Sequence, residues 1–264
     1  MIKNAVIGKP LDHSLSPLLH NEMYRLLNTK AELVKDGDGD IDDLVLKIKN
    51  KPYELTAITM PYKHLIMNLL DDVDSEAREI GSVNTVINKN GILTGYNTDI
   101  YGIGYALRNI NLENKNILIV GAGATARTVA FVIKKMNGNI LCTNRSQEKA
   151  KILVQEFGGL VVDLENIQSK QVNVIINTTP VGMYPNVEKS PVPKKFLRSY
   201  HTVFDIVYNP IQTKLLADAR EIGAQTILGI DMFIAQGIRQ IELWQDTKIN
   251  IDEYYNNLKS LLIR

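Results

Sequence analysis

Two short stretches carry the side chains best suited to moving a proton. ITMPYKH places Lys63 two residues beyond Pro61, at the end of an apolar run, and GYNTDIYG places Asp99 after three polar residues. A lysine at such a strand end can pass a proton to or from a substrate oxygen. An aspartate can hold a substrate hydroxyl and pair with that lysine. Each also has a plainer reading: Lys63 as a solvated side chain of a first helical turn, and Asp99 as the cap of the helix that follows. His64, beside Lys63, is an alternative proton carrier. A third stretch, GKPLDHSLSPLLHN at residues 8–21, puts Ser14 and Ser16 on a turn where a nucleotide-binding chain would usually show glycines. Hydroxyls both donate and accept, so the pair suits a carboxylated or polyhydroxylated small molecule. The alternative is that Ser16 caps the helix opened by Pro17.

The glycines come later, in VGAGATART. Gly121 and Gly123 fall between an apolar run and a helical pattern, with Ala126 at the third fingerprint position. Such a turn lets the backbone approach a pyrophosphate, which the following helix N-terminus attracts. The next apolar run ends in CTNRSQEK. Asn144 and Arg145, with Lys149 one turn on, stand where an NAD-binding chain usually has Asp or Glu. A guanidinium binds a 2′-phosphate that a carboxylate would repel, so NADP is expected over NAD. The alternative is that Arg145 is only a surface charge.

These residues need elements to hold them, and strand-like and helix-like patterns alternate almost throughout. NAVIG, AELV and ELTAITM read as strands separated by helices at SPLLHNEMYRLLN and DIDDLVLKIKN. A helical run follows Pro61, and SEAREIG is a short helix closed by Gly81. SVNTVIN and ILTGYN flank Lys89-Asn90-Gly91, a hairpin signal at one edge of the sheet. TDIYGIGYALRNI is a connecting helix. Beyond it, KNILIV, NILCTN, VNVIINTTP, HTVFDIVY and QTILG are strands with intervening helices, as a parallel sheet requires. The last thirty-odd residues form two helical patterns without a strand. The fold class is α/β.

The chain has 264 residues and a net charge of +1, which argues against nucleic-acid or membrane-surface binding through bulk charge. Its single cysteine, Cys142, excludes an internal disulfide and reads as a buried structural thiol. With no signal peptide and no spanning run, the expected location is the cytoplasm. No metal site is expected: the four histidines are scattered, and DGDGDIDD at residues 36–43 has Ile41 and Lys47 where a calcium loop needs Gly and Glu. That stretch reads as a solvated turn capping the next helix.

In order along the chain, GKPLDHSLSPLLHN, TMPYK, GSVNTV, GYNTDIYG, GAGATART, NRSQEKA, NTTPVGM, DIVYNPIQTKLL and GIDMFIAQG resemble the shikimate dehydrogenases. The resemblance implies reversible reduction of 3-dehydroshikimate to shikimate with NADPH, a step toward chorismate and the aromatic amino acids. It implies a substrate domain over residues 1–100, rejoined by helices at 230–264, a Rossmann-type NADP-binding domain over 101–229, and a cleft between them. By position, Ser14 and Ser16 would hold the substrate carboxylate, with Thr59, Asn84, Asp99 and Gln236 around its ring hydroxyls. Lys63 and Asp99 would be the catalytic pair. Gly121, Ala122, Gly123 and Ala124 would face the pyrophosphate, and Asn144, Arg145 and Lys149 the adenosine phosphate. Thr178, Gly229, Met232 and the backbone near Ile206 would approach the nicotinamide, and Tyr208 would help close the cleft.

Three positions depart from the family pattern. Ala57 replaces a usual asparagine, Lys149 a usual arginine, and Ala124-Thr125 a more common Gly-Ala. Rival readings are a quinate or mixed quinate/shikimate dehydrogenase, with NAD as an alternative cofactor, and a binding sensor without chemistry, which would need neither Lys63 nor Asp99. Folate dehydrogenases also pair a catalytic lysine with a Rossmann half, but the polar ligands here fit a cyclitol-like acid better than a pterin. A monomer and a homodimer are both compatible with the composition.

Overall fold

Apolar runs buried on both faces make the first strands, and helices supply the covers such strands need. The computed structural model describes residues 1–37, 39–50, 53–167 and 170–263. Their contacts divide the chain into two units, Met1–Gly102 with Ile234–Arg264, and Ile103–Phe233.

The first unit runs β1 (Ile2–Ile7), α1 (Ser16–Leu26), β2 (Ala31–Lys35), α2 (Ile41–Asn50), β3 (Tyr53–Ile58), β4 (Asp72–Val73), α3 (Ser75–Ile80), β5 (Thr85–Lys89), β6 (Ile92–Tyr96) and α4 (Asp99–Leu107). Its sheet has the order β2-β1-β3-β5-β6-β4. β1 is parallel to β2 and β3, whereas β5 is antiparallel to both β3 and β6. Asn90 and Gly91 join β5 to β6 with φ of 55° and 86°, the left-handed pair that a two-residue hairpin turn demands. The hairpin is not at the sheet edge as expected, because the two-residue β4 adds in parallel outside β6. The helix expected after Pro61 is instead a run of turns ending in a 3₁₀ segment, Leu65–Leu69. Gly81 closes α3 in the left-handed conformation, as read. Asp40 accepts from the Asp43 N–H at the start of α2, the capping turn expected there; Asp38 of the same stretch lies outside the described residues.

β1 carries one polar residue in its buried core, and the register explains it. The β1–β3 pairing slips between Lys3 and Ala5. There the Asn4 side chain takes over: its Oδ1 accepts from Leu55 N–H and its Nδ2 donates to Tyr24 Oη of α1. A buried amide with both ends satisfied costs little.

The second unit runs β7 (Asn116–Val120), α5 (Ala124–Lys135), β8 (Asn139–Thr143), α6 (Gln147–Phe157), β9 (Leu160–Val161), β10 (Val174–Asn177), β11 (Thr202–Asp205), α7 (Lys214–Glu221) and β12 (Gln225–Leu228). All its strand pairs are parallel, in the order β12-β11-β10-β7-β8-β9. Counted from β7, this is the doubly wound dinucleotide order, with β10 beside β7 at the topological switch point. α8 (Gly229–Gln245) and α9 (Ile251–Leu262) complete the chain, and α9 packs on α1. Among the described residues no helix is long and apolar enough to cross a membrane.

Candidate active site

In the first unit the polar residues gather where β1, β3 and β6 end. The turns after β1 and β3 are laced together: Lys9 N–H donates to Met60 O, and Thr59 N–H to Ile7 O. A Cβ on Gly8 would lie 2.2 Å from the Thr59 methyl, so this crossing requires glycine. Lys63 follows, its carbonyl accepting from Val83 N–H. Asp99 opens α4, its N–H donating to Asn97 Oδ1 while Asn97 Nδ2 donates to Ser82 O.

These anchors bring two side chains together. Lys63 Nζ donates to Asp99 Oδ2 at 2.6 Å, with the side chains 14% and 6% exposed. A cation and carboxylate this buried stabilise one another, and removing either leaves the other stranded. The lysine is therefore not the solvated side chain of the plainer reading, and Asp99 spends its carboxylate on Lys63 and Asn84, not on a helix cap. Asn84 Nδ2 donates to Asp99 Oδ1 at 2.8 Å, to Thr98 Oγ1 at 3.0 Å and, longer, to Gln236 Oε1 at 3.4 Å. Its Oδ1 accepts from the Thr98 backbone N–H at 2.7 Å. That N–H can only donate, which fixes the amide's orientation and turns the NH₂ toward Asp99.

Lys63, Asp99, Asn84 and Gln236 thus form one hydrogen-bonded cluster. Ser14, Ser16 and Thr59 make no side-chain bond to it. Ser16 does not cap α1 through its hydroxyl, and its N–H donates to Ser14 Oγ at 3.4 Å. His64 bonds Gly81 O through Nδ1 and stays outside the cluster. Sequence reading missed three members. Thr98 and Thr85 both donate to Asn84 Oδ1, and Gln240 Nε2 reaches Asn84 O and Thr85 Oγ1. Gln240 follows Gln236 by one turn on the largely apolar α8, and a buried amide at that spacing was the available signal.

In the second unit the glycine turn joins β7 to α5. Gly121 has φ of +115°, and a Cβ there would meet Thr178 Oγ1 at 2.5 Å. Gly123 is different: it has negative φ, and nothing lies within 4 Å of where its Cβ would be. Glycine is needed at the first position by the protein's own packing, and at the second leaves open space in front of a helix start. That start has no side-chain cap and no acidic residue in its first turn, so Ala122 and Ala124 flank unshielded backbone N–H groups. Arg145 and Lys149, beyond β8, are exposed and form no ion pair among the described residues, while Asn144 Nδ2 donates to Ser146 O. An open anion seat with free cations one strand away fits a dinucleotide carrying an extra phosphate.

Thr178 donates to Val120 O beside the turn. Gly229 allows Ile206 O and Val207 O to approach to 2.5 Å of where its Cβ would be, and Met232 is buried one turn along. Tyr208 stacks on Phe233, ring centroids 4.2 Å apart. Cys142 lies under the turn with Sγ 3.6 Å from Gly121 O, and burial pushes its thiol up to about 11, an inert structural thiol as read. A separate cavity lined by Lys134, Gly138, Asn139 and Gly159 lies at the other end of β8 and holds none of these residues. Among the described residues no group of three or more potential ligands could hold a metal.

Comparison with known proteins bears on both units. Residues 6–86 match the model of the shikimate dehydrogenase substrate binding domain, and residues 105–210 that of shikimate / quinate 5-dehydrogenase. A shikimate dehydrogenase (NADP(+)) of Methanococcus maripaludis is 39% identical over 93% of this chain and 92% of its own. One from Bacillus cereus is 39% identical over 98% and 96%. The crystal structure of shikimate 5-dehydrogenase from Thermus thermophilus, in complex with NADP(H) and shikimate, superposes with a TM-score of 0.90 at 30% identity, over 99% of this chain and 100% of that one. With two matched domains in order and near full-length identity of this degree, the chain belongs to the shikimate dehydrogenase family.

Proposed function

We infer that this protein is an NADP-dependent oxidoreductase that interconverts 3-dehydroshikimate and shikimate. The observation that carries the reading is the buried Lys63–Asp99 bond, with Asn84 fixed behind it, in a chain of this family. When bound, NADPH supplies the hydride. Lys63 gives a proton to the oxygen that becomes the alcohol, and takes it back in the reverse direction. Its positive charge beside the developing alkoxide favours the transition state over the ground state. Asp99 holds Lys63 in place and accepts from a substrate hydroxyl. Asn84, Gln236 and Thr59 surround the ring hydroxyls, and Ser14 and Ser16 take the carboxylate. The glycine turn and the start of α5 hold the pyrophosphate, and Asn144, Arg145 and Lys149 the 2′-phosphate. Thr178, Ile206, Gly229 and Met232 line the nicotinamide end. A cytoplasmic location suits a chain whose one thiol is buried and unpaired.

The test follows nicotinamide absorbance with shikimate or quinate offered against NADP⁺ or NAD⁺. Turnover with shikimate and NADP⁺ well above every other pair is expected. A preference for quinate would shift the substrate assignment, and would point to Ala57, buried in β3 opposite Thr85. Tight cofactor binding without turnover on either substrate would replace the enzyme by a sensor.

A further inference from the structure

The second unit buries a carboxylate that the mechanism does not use. Asp205, the last residue of β11, is 0% exposed. Its Oδ1 accepts from Asn177 Nδ2 at 2.8 Å and from Val207 N–H at 3.1 Å, and its Oδ2 accepts from Thr213 Oγ1 at 2.6 Å. Among the described residues no lysine, arginine or histidine bonds to it. Each partner leads to a different segment. Asn177 ends β10, and its Oδ1 accepts from Thr179 N–H and Thr179 Oγ1, which shapes the Thr178–Thr179 loop. Val207 lies in the loop after β11. Thr213 caps α7 by accepting from Leu216 N–H. Two of these segments press on glycines of the turn and of α8: Thr178 on Gly121, and Ile206 with Val207 on Gly229.

We propose that Asp205 is a positioning residue for the nicotinamide end of the cofactor site, its carboxylate fixing the Thr178 loop and the 206–208 loop at one spacing. This rests on the reading that places Thr178, Ile206 and Gly229 at that end. A buried carboxylate with only neutral donors is a poor source of stability, since well-packed apolar residues often serve as well or better. Burial accordingly pushes its carboxyl up to about 6, with the hydrogen bonds from Thr213, Val207 and Asn177 opposing the shift. What the carboxylate supplies is geometry: where the β10–β11 ladder ends, with Ile206 N–H donating to Asn177 O, one acceptor group is reached by donors from Asn177, Val207 and Thr213.

Asparagine can reproduce the pattern and alanine cannot. In Asp205→Asn, Oδ1 still accepts from Asn177 and Val207, while the new NH₂ donates to the Thr213 hydroxyl, which rotates to accept. Two probes separate the ends of the cofactor: NADPH, and 2′-phospho-ADP-ribose, which lacks the nicotinamide. Calorimetric titration of each into the purified protein should show Asp205→Ala binding NADPH about tenfold or more weakly, the scale of a lost buried hydrogen-bond network. Its affinity for 2′-phospho-ADP-ribose should stay near that of the wild type, which also shows that the unit is folded. Asp205→Asn should bind both nearly as the wild type does. If Asp205→Ala does not fold, Thr213→Val, which removes the bond to Asp205 together with the α7 cap at nearly the same size, should show the same split more weakly. Equal losses for the two probes, or no loss of NADPH affinity, overturn the proposal. A wild-type protein that binds neither probe overturns the cofactor reading beneath it as well.

Discussion

The chemistry of the first unit rests on a single pair, Lys63 with Asp99, and on the amide that orients it. Lys63 contributes through a proton and a charge delivered at one atom, interactions that strengthen as the alkoxide forms and count for little in the bound ground state. Lys63→Ala should therefore lower kcat by about 10²–10⁴-fold, the usual worth of a positioned acid-base group. KM for shikimate should change only a few-fold, because the serines and the amides still hold the ring. Steady-state kinetics of the purified variant checks this, and near-normal turnover would remove Lys63 from the mechanism. The stretches TMPYK and GYNTDIYG pointed to both partners from residue type and local setting. That they touch was not legible, because 36 residues separate them and the contact is made by the sheet. The same holds for Gln240, which reaches Thr85 across 155 residues.

At the scale of elements, the two glycines of the β7–α5 turn are constrained by different things, and substitution should separate them. Gly121→Ala puts a methyl against Thr178 Oγ1 and forces a positive φ on alanine; both the fold of the turn and cofactor binding should suffer. Gly123→Ala meets open space and an allowed φ, so the unliganded protein should lose no more than about 1 kcal/mol of stability, the order of a weakened helix cap. It should still bind NADPH at least about tenfold more weakly if that space belongs to a pyrophosphate. Melting curves and NADPH titrations of both variants decide it, and normal affinity in Gly123→Ala would move the phosphates elsewhere. This turn was readable because its signal is local, a strand, two glycines and a helix within about twenty residues. The segment after Pro61 was misread because its apolar spacing is helical while its backbone is claimed from afar. Lys63 O accepts from Val83 N–H, and the chain settles into turns and a short 3₁₀ segment. The two-residue β4 and β9 are too short to show any period at all.

For the whole molecule, three buried titratable groups set opposing responses to acid. Burial lowers His20 from 6.5 to about 4, and burial with the Arg198 charge does the same to His201. Between those values the unfolded chain binds protons that the folded chain refuses, so stability falls as pH drops through this window. Asp205 acts the other way. Raised from 3.8 to about 6, it is protonated in the folded protein while still ionised in the unfolded one, so its contribution improves as pH drops from 6 toward 4. Asp205 and His201 share the second unit and largely offset each other there, whereas among these three groups His20 stands alone in the first. The chain's one tryptophan reports on that unit: Trp244 of α8 packs edge-on against Tyr24 of α1, which also meets the His20 ring edge-on. Urea unfolding followed by Trp244 fluorescence should show the first unit losing on the order of 3 kcal/mol between pH 6.5 and 4. In His20→Asn, whose amide can still donate to Ser16 O as the ring Nδ1 does, the loss over the same window should be smaller by about that amount. A variant curve as steep as the wild type's would mean that the acid response lies in other groups, and that His20 takes its proton in the folded state as readily as in the unfolded one.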